Sequence, residues 1–186
     1  QNNRFGIVRG SAAFMKWLGI KSGNYSRLQS LPDKKTLKEL GRMIRHLIKR
    51  KDFDKAKKIV LIDAHFVNIR NGKVQEWVGN WLSLADGLIL IKAAPAEILK
   101  RIRIDEKSTA RQRGIFWDRA SYKEKIKLLR AFNRESERVF RKCVKIYKKP
   151  YKILHNAEGG AIETAKKLIH FLEFTYLHHD AATKEN

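Results

Sequence analysis

Apolar positions fall into two kinds of run along this chain. Short unbroken runs rich in β-branched residues, Ile59-Val-Leu-Ile62 and Leu88-Ile-Leu-Ile91, are bounded by charge and turn residues. Their length and branching predict buried strands rather than helices. The first follows Lys57-Lys58 and ends abruptly in Asp63-Ala-His65. The second ends at Lys92-Ala93, and Pro150-Tyr-Lys-Ile-Leu154 reads as a shorter third strand.

The other runs are periodic. Phe14, Trp17 and Leu18 share one helical face, and Gly19 and Gly23 stop that helix. Pro32-Asp33 opens a helix with Leu37, Leu40, Ile44, Leu47 and Ile48 on one stripe. Lys34, Lys35, Lys38, Arg42, Arg45, Lys49 and Arg50 occupy its other faces, as a solvated basic helix requires. Pro95 sits in the first turn of a helix whose Ile98, Leu99 and Ile102 face inward.

Ser121 with Glu124 predicts a capping box, followed by a long helix to about Lys148. Its buried stripe runs through Ile126, Leu129, Phe132 or Asn133, Phe140, Val144 and Tyr147, with Cys143 near it. Glu137 and Arg141 form an i,i+4 pair on its surface. Ile162 to Phe174 is a last amphipathic helix. Asn71-Gly72 between alternating runs predicts a tight hairpin after His65, with Trp77 and Trp81 packed beneath it. Asp105 to Gly114 has no apolar face and reads as a mobile polar loop.

Strands alternating with helices predict an α/β fold, with a parallel sheet covered by helices on both faces. Residues 1–177 form one domain, and the tail 178–186 frays. A length of 186 residues with 43% hydrophobic content suffices for one real core.

Charge alters this picture. Lys and Arg number 41 against 19 Asp and Glu, a net charge of +22. Such an excess sits on the surface and attracts phosphates: nucleotides, nucleic acid or anionic lipid. No apolar run approaches the roughly 20 residues of a membrane span, and no secretory signal is visible. The single cysteine, Cys143, cannot form an internal disulfide, which points to a reducing, cytoplasmic compartment.

Asp63 and His65 lie two apart on a strand end, so their side chains emerge on one face. Open α/β sheets present chemistry at such carboxyl ends. A carboxylate there suits a magnesium ion held through its water shell. Arg111 and Arg113 sit on the polar loop one connection beyond the next strand. Planar guanidinium donors suit a phosphoryl group whose charge is moving.

Taken in order, these stretches resemble the adenylate-kinase-like P-loop kinases. The nearest group is the archaeal-type adenylate kinases and the related small ATP-binding proteins labelled AAA-family. The resemblance covers roughly residues 4–175. It rests on Asp63-Ala-His65-Phe66 closing a hydrophobic strand, on the hairpin and the strand 86–93, on Asp105-Glu106, and on Arg111-Gln-Arg113. Phe5-Gly6 resembles the start of the acceptor-nucleotide region.

The resemblance implies a P-loop NTPase fold, nucleotide-kinase-like, with residues 1–50 as acceptor-side helices and 105–120 as a lid. It implies ATP and Mg2+ as cofactors, with phosphoryl transfer to a nucleotide or other small acceptor. Asp63 would help hold Mg–ATP, and Arg111 and Arg113 would close over the phosphates as catalytic groups. Arg101 would contact the nucleotide, and His65, Phe5 and Arg27 would line the acceptor side.

Two departures stand out. Gln29-Ser30-Leu31 occupies the place where the family holds the acceptor phosphate with Arg-Lys-Leu, so the acceptor stays open. No G-x-x-x-x-G-K-[ST] occurs anywhere in the chain. That loop supplies the backbone cradle and the lysine for the transferred phosphate. The chain opens at Gln1, so the expectation is that the first strand and the P-loop precede it, and that this chain alone is inactive.

A second reading, from another class, is an RNA- or ribosome-associated ATP-binding module on the same scaffold. Its charge exceeds what one nucleotide site needs. A third is a Lys-rich protein without either role.

Overall fold

A computed structural model describes residues 5–21, 23–24, 27–28, 30–50, 59–70, 72–109 and 120–177, with side chains described through 48 in the second of its helices and through 105 in the third. Of the stretch expected to be a polar loop, residues 105–109 are instead the last turn of a helix and 110–119 lie outside the described residues, with Arg111, Arg113 and Trp117 among them; Asn71 and the tail 178–186 lie outside as well.

The order of elements is β1 (Phe5–Arg9), α1 (Gly10–Trp17), α2 (Asp33–Arg50), β2 (Ile59–Asp63), β3 (Val67–Arg70), β4 (Lys73–Glu76), a 3-10 helix (Asn80–Leu84), β5 (Leu88–Lys92), α3 (Pro95–Thr109), α4 (Tyr122–Tyr147), β6 (Tyr151–His155) and α5 (Ala161–Tyr176). This is an α/β architecture with small, mostly parallel sheets.

The strands pair in twos, where the hydrophobic pattern predicts one continuous sheet. β1 lies parallel to β2, in register from Phe5 with Ile59 to Arg9 with Asp63. β5 lies parallel to β6, from Leu88 with Tyr151 to Lys92 with His155. β3 and β4 form the antiparallel hairpin, Val67 opposite Glu76 and Arg70 opposite Lys73. Among the described residues β2 and β5 each hydrogen-bond to one neighbour only, and no strand joins the two parallel pairs.

β1 is an element that residue patterning misses. Its five residues include Gly6, too short and too broken for a period-2 signal. Phe5-Gly6 therefore begins a strand, and the first helix starts later, at Gly10. The hairpin forms where Asn-Gly predicts it, with Gly72 at φ +69°, in the left-handed region glycine tolerates.

One helix organises the core. α4 begins with the predicted capping box: the Ser121 hydroxyl accepts from the Glu124 amide at 3.2 Å, and the Glu124 carboxylate accepts from the Ser121 amide at 2.7 Å. It ends at Lys148, which adopts a left-handed cap. Along its 26 residues Leu128, Leu129, Ser136, Val139, Phe140 and Cys143 are buried.

The Phe140 ring meets the ring of Phe66, just before the hairpin, edge-on at 5.3 Å and that of Tyr151 on β6 at 5.9 Å. Met43 and Ile44 of α2, Phe14 of α1, Val67, Trp81, Leu88 and Leu90 complete the same cluster. Burial of the Cys143 thiol raises its pKa above the usual thiol value.

The hairpin is fastened by a partly buried cation. Arg70 donates to the Leu31 carbonyl at 2.7 Å, pairs with Asp33 at the start of α2, and lies 5.0 Å over the Trp77 ring. Trp77 and Trp81 are buried as expected.

Phe140 has no exposed surface and joins three elements. Phe140→Ala is expected to cost about 3–5 kcal/mol. Urea unfolding followed by circular dichroism checks this; a loss under about 1 kcal/mol would remove α4 from the centre of the core.

Candidate functional site at the strand ends

Asp63 is the last residue of β2 and is exposed, as are Ala64 and His65. Its register partner is Arg9, the last residue of β1. The carboxylate of Asp63 makes no hydrogen bond or ion pair with any described residue. An open carboxylate at the carboxyl end of a parallel pair is therefore present where ligand chemistry belongs in such sheets.

The turn out of β1 fixes this edge. Gly10 lies so close to β2 that a Cβ there would fall 2.0 Å from the Asp63 carbonyl oxygen. Only glycine admits this approach, and α1 starts directly from it. Gly10 and Arg9 are the site residues that inspection of the sequence overlooks. Their signal is tertiary: Arg9 gains meaning only once β1 is paired with β2.

The other strand pair has its own furnished end. Lys92 closes β5 and pairs with Glu137 of α4. Glu137 also accepts from Arg141 at 2.6 Å. Bonding to Lys92 first, then to Arg141, holds the Glu137 carboxyl down to about 2 from an ordinary 4.5. Asn133 donates to the Ala93 carbonyl at 2.8 Å. Two residues of α4 thus clamp the exit of β5.

Arg101 on α3 belongs to this second edge. It donates to Glu97 at 2.7 Å and to the Ala157 carbonyl, in the turn after β6, at 3.3 Å. Burial leaves its side chain 40% exposed. No hydrogen bond or ion pair between described residues links Arg101 to Asp63 or Arg9.

Arg27 is exposed and lines a cavity of about 210 Å³ between α1 and α2. Leu18, Ile20 and Leu31 give the cavity apolar walls, and Lys35 adds a second cation. Phe5 pairs with Ile59 at the opposite end of β1, four residues or about 13 Å from Arg9. The structure thus separates Phe5 from Asp63. Arg111 and Arg113, outside the described residues, add nothing to this geometry.

A magnesium site built wholly from protein is not found: no group of three or more His, Cys, Asp or Glu converges among the described residues. Asp63 alone fits a magnesium ion that keeps most of its waters and takes its remaining ligands from substrate phosphates. No helix among the described residues is long and apolar enough to cross a membrane. No protein-family model matches the sequence, and none of the curated proteins is similar to it.

Two outcomes follow from this geometry. Gly10→Ala is expected to destabilise the fold by about 1–3 kcal/mol, because backbone must move away from the Asp63 carbonyl. Thermal unfolding checks it, and an unchanged melting temperature would refute the close contact.

The second concerns acid. The depressed Glu137 contributes stability that is whole above its ordinary value of 4.5 and disappears as pH falls toward about 2. Wild type should therefore be more stable than Glu137→Gln at neutral pH, and the gap should close between those two pH values. Denaturant titrations at several pH values read this directly; a constant gap would show that the clamp is not ionic.

Proposed function

We propose that this chain is the body of an ATP-dependent phosphotransferase of the adenylate-kinase type, acting on a nucleotide or another small phosphate acceptor. The reading is supported above all by one observation: Asp63, an exposed carboxylate with no ion-pair partner among the described residues, at the carboxyl end of a parallel strand whose second edge pairs with no described strand.

A further parallel strand laid along that edge of β2 would bring its own following loop beside Asp63. A glycine-rich loop in that position would offer backbone N–H groups to phosphate oxygens. The 186 residues hold no such loop. The phosphate cradle in this reading comes from sequence that these residues do not contain.

Within the reading, Asp63 holds a magnesium ion through its water shell, and ATP supplies the transferable phosphoryl group. Arg111 and Arg113 are the groups assigned to neutralise charge on the moving phosphoryl, which bidentate guanidinium donors do well. His65 lies two residues from Asp63 and is assigned to the acceptor side, with Arg27 and Lys35 as cations for an acceptor phosphate. Arg101 is assigned to the nucleotide, through the turn it already holds after β6. Phe5, at the far end of β1, is left out of the site.

The experiment compares this chain with the full-length encoded protein that contains it. ATP consumption is measured against a panel of nucleoside monophosphates and other small acceptors. The expected result is turnover by the longer protein only, lowered at least about tenfold by Asp63→Asn and by Arg113→Ala, with unfolding midpoints unchanged. A full-length protein without a glycine-rich phosphate loop, or turnover indifferent to Asp63, would end the reading.

A further inference from the structure

The outer face of α4 carries a rail of cations that the proposed phosphotransferase chemistry does not use. Lys123, Lys127, Arg130 and Arg134 follow one another at steps of four, three and four residues. The row continues at the same helical spacing through Arg138, Arg141 and Lys145. At 3.6 residues per turn these positions fall on one narrow stripe. Every one of them is exposed. The buried residues of α4, among them Leu129, Val139, Phe140 and Cys143, lie on the opposite side.

The rail is long and only partly neutralised. From Lys123 to Lys145 it runs through 22 residue-to-residue steps, about 33 Å at ~1.5 Å each. That is close to one turn of a nucleic-acid duplex, about 34 Å. Arg138 pairs with Glu135, and Arg141 with Glu137. Lys123, Lys127, Arg130, Arg134 and Lys145 make no ion pair with any described residue. Near its C-terminal end the rail borders a shallow depression of about 500 Å³, lined also by Ile146 and by Lys142, which Glu76 neutralises at 3.0 Å.

We infer that this face of α4 binds the phosphate backbone of double-stranded nucleic acid, without reading its sequence. Three features select that partner. The net charge of +22 favours a polyanion over a single small anion. A membrane surface would need a broad apolar face free to insert beside the cations, whereas beside the rail α4 exposes one aliphatic side chain, Ile146, and buries its apolar stripe in the core. Single strands are gripped by stacking bases on aromatic rings, and no aromatic side chain lies on the cationic stripe.

What remains is a rigid row of donors facing a rigid row of phosphates, with counterion release as the driving force. The rail includes neither Asp63 nor Arg111 and Arg113, so it stands apart from the phosphotransferase reading.

The test measures fluorescence anisotropy of a labelled duplex of about 20 base pairs, roughly two turns, titrated with the full chain. Duplex RNA and duplex DNA form separate arms, and a single strand and anionic vesicles are competitors. Salt is varied from ~50 to ~200 mM.

Two triple variants carry the same change in charge: Lys127→Glu, Arg130→Glu and Arg134→Glu on the rail, and Lys34→Glu, Lys38→Glu and Arg45→Glu on α2. Circular dichroism and unfolding midpoints establish that both fold. The rail variant is expected to lose about tenfold or more in duplex affinity and to flatten the salt slope by roughly three, one for each lost phosphate contact. The α2 variant should lose no more than about threefold. Equal losses from the two variants would overturn the inference, since net charge alone would then explain binding. So would tighter binding to the single strand or to vesicles, or no duplex binding at the lower salt.

Discussion

The buried face of α4 is the constraint on which the rest of this structure depends. A 26-residue helix with one apolar stripe must bury that stripe against something. Here it buries Val139, Phe140 and Cys143 against the hairpin, β5 and β6 together. Phe140 alone touches rings from two different parts of the chain. The same helix reaches the carboxyl end of β5 with Asn133 and Glu137. The position of that strand exit is therefore set by core packing as well as by strand pairing.

Electrostatics shapes the outside of the molecule. With 41 basic against 19 acidic side chains, cations cannot all be paired. The carboxylates that α4 carries are all engaged: Glu124 in the helix cap, Glu135 on Arg138, and Glu137 on both Arg141 and Lys92 of β5. Glu76 of β4 joins them from the hairpin, at 3.0 Å from Lys142. Surface pairs of this kind contribute little stability each, but they fix where charge is cancelled and where it is left. Self-repulsion among the remaining cations is lowest when they spread over outer helix faces, and α2 and α4 both follow that rule.

The strand ends link this frame to chemistry. β1 and β2 stop together, at Arg9 and Asp63, and the chain leaves β1 through a glycine pressed against β2. Backbone contact that close leaves little play in the position of Asp63. The phosphotransferase reading draws on that rigidity, because a carboxylate that orders a hydrated cation works best when its own position is held. The open edge of β2 is the complementary feature. Among the described residues that edge pairs with no strand, and an edge on an apolar strand is a natural place for another strand to add.

Much of the local structure was legible in the residues alone. The capping box at Ser121 and Glu124, the Asn-Gly hairpin and the amphipathic stripes of α2 and α4 depend on interactions within a few positions of chain. So local chemistry determines them. The strands at 59–63 and 88–92 were equally plain, because four consecutive apolar residues bounded by charge and turn residues have few alternatives. Tertiary structure alone decided the rest. β1 is a strand because β2 pairs with it, which moves Phe5 away from Asp63 and brings Arg9 beside it. Lys92 meets Glu137 across 45 residues of sequence, a partnership that no spacing rule encodes. The pairing of strands in twos was likewise not written in their composition, since hydrogen bonds between strands depend on which edges the folded chain brings together.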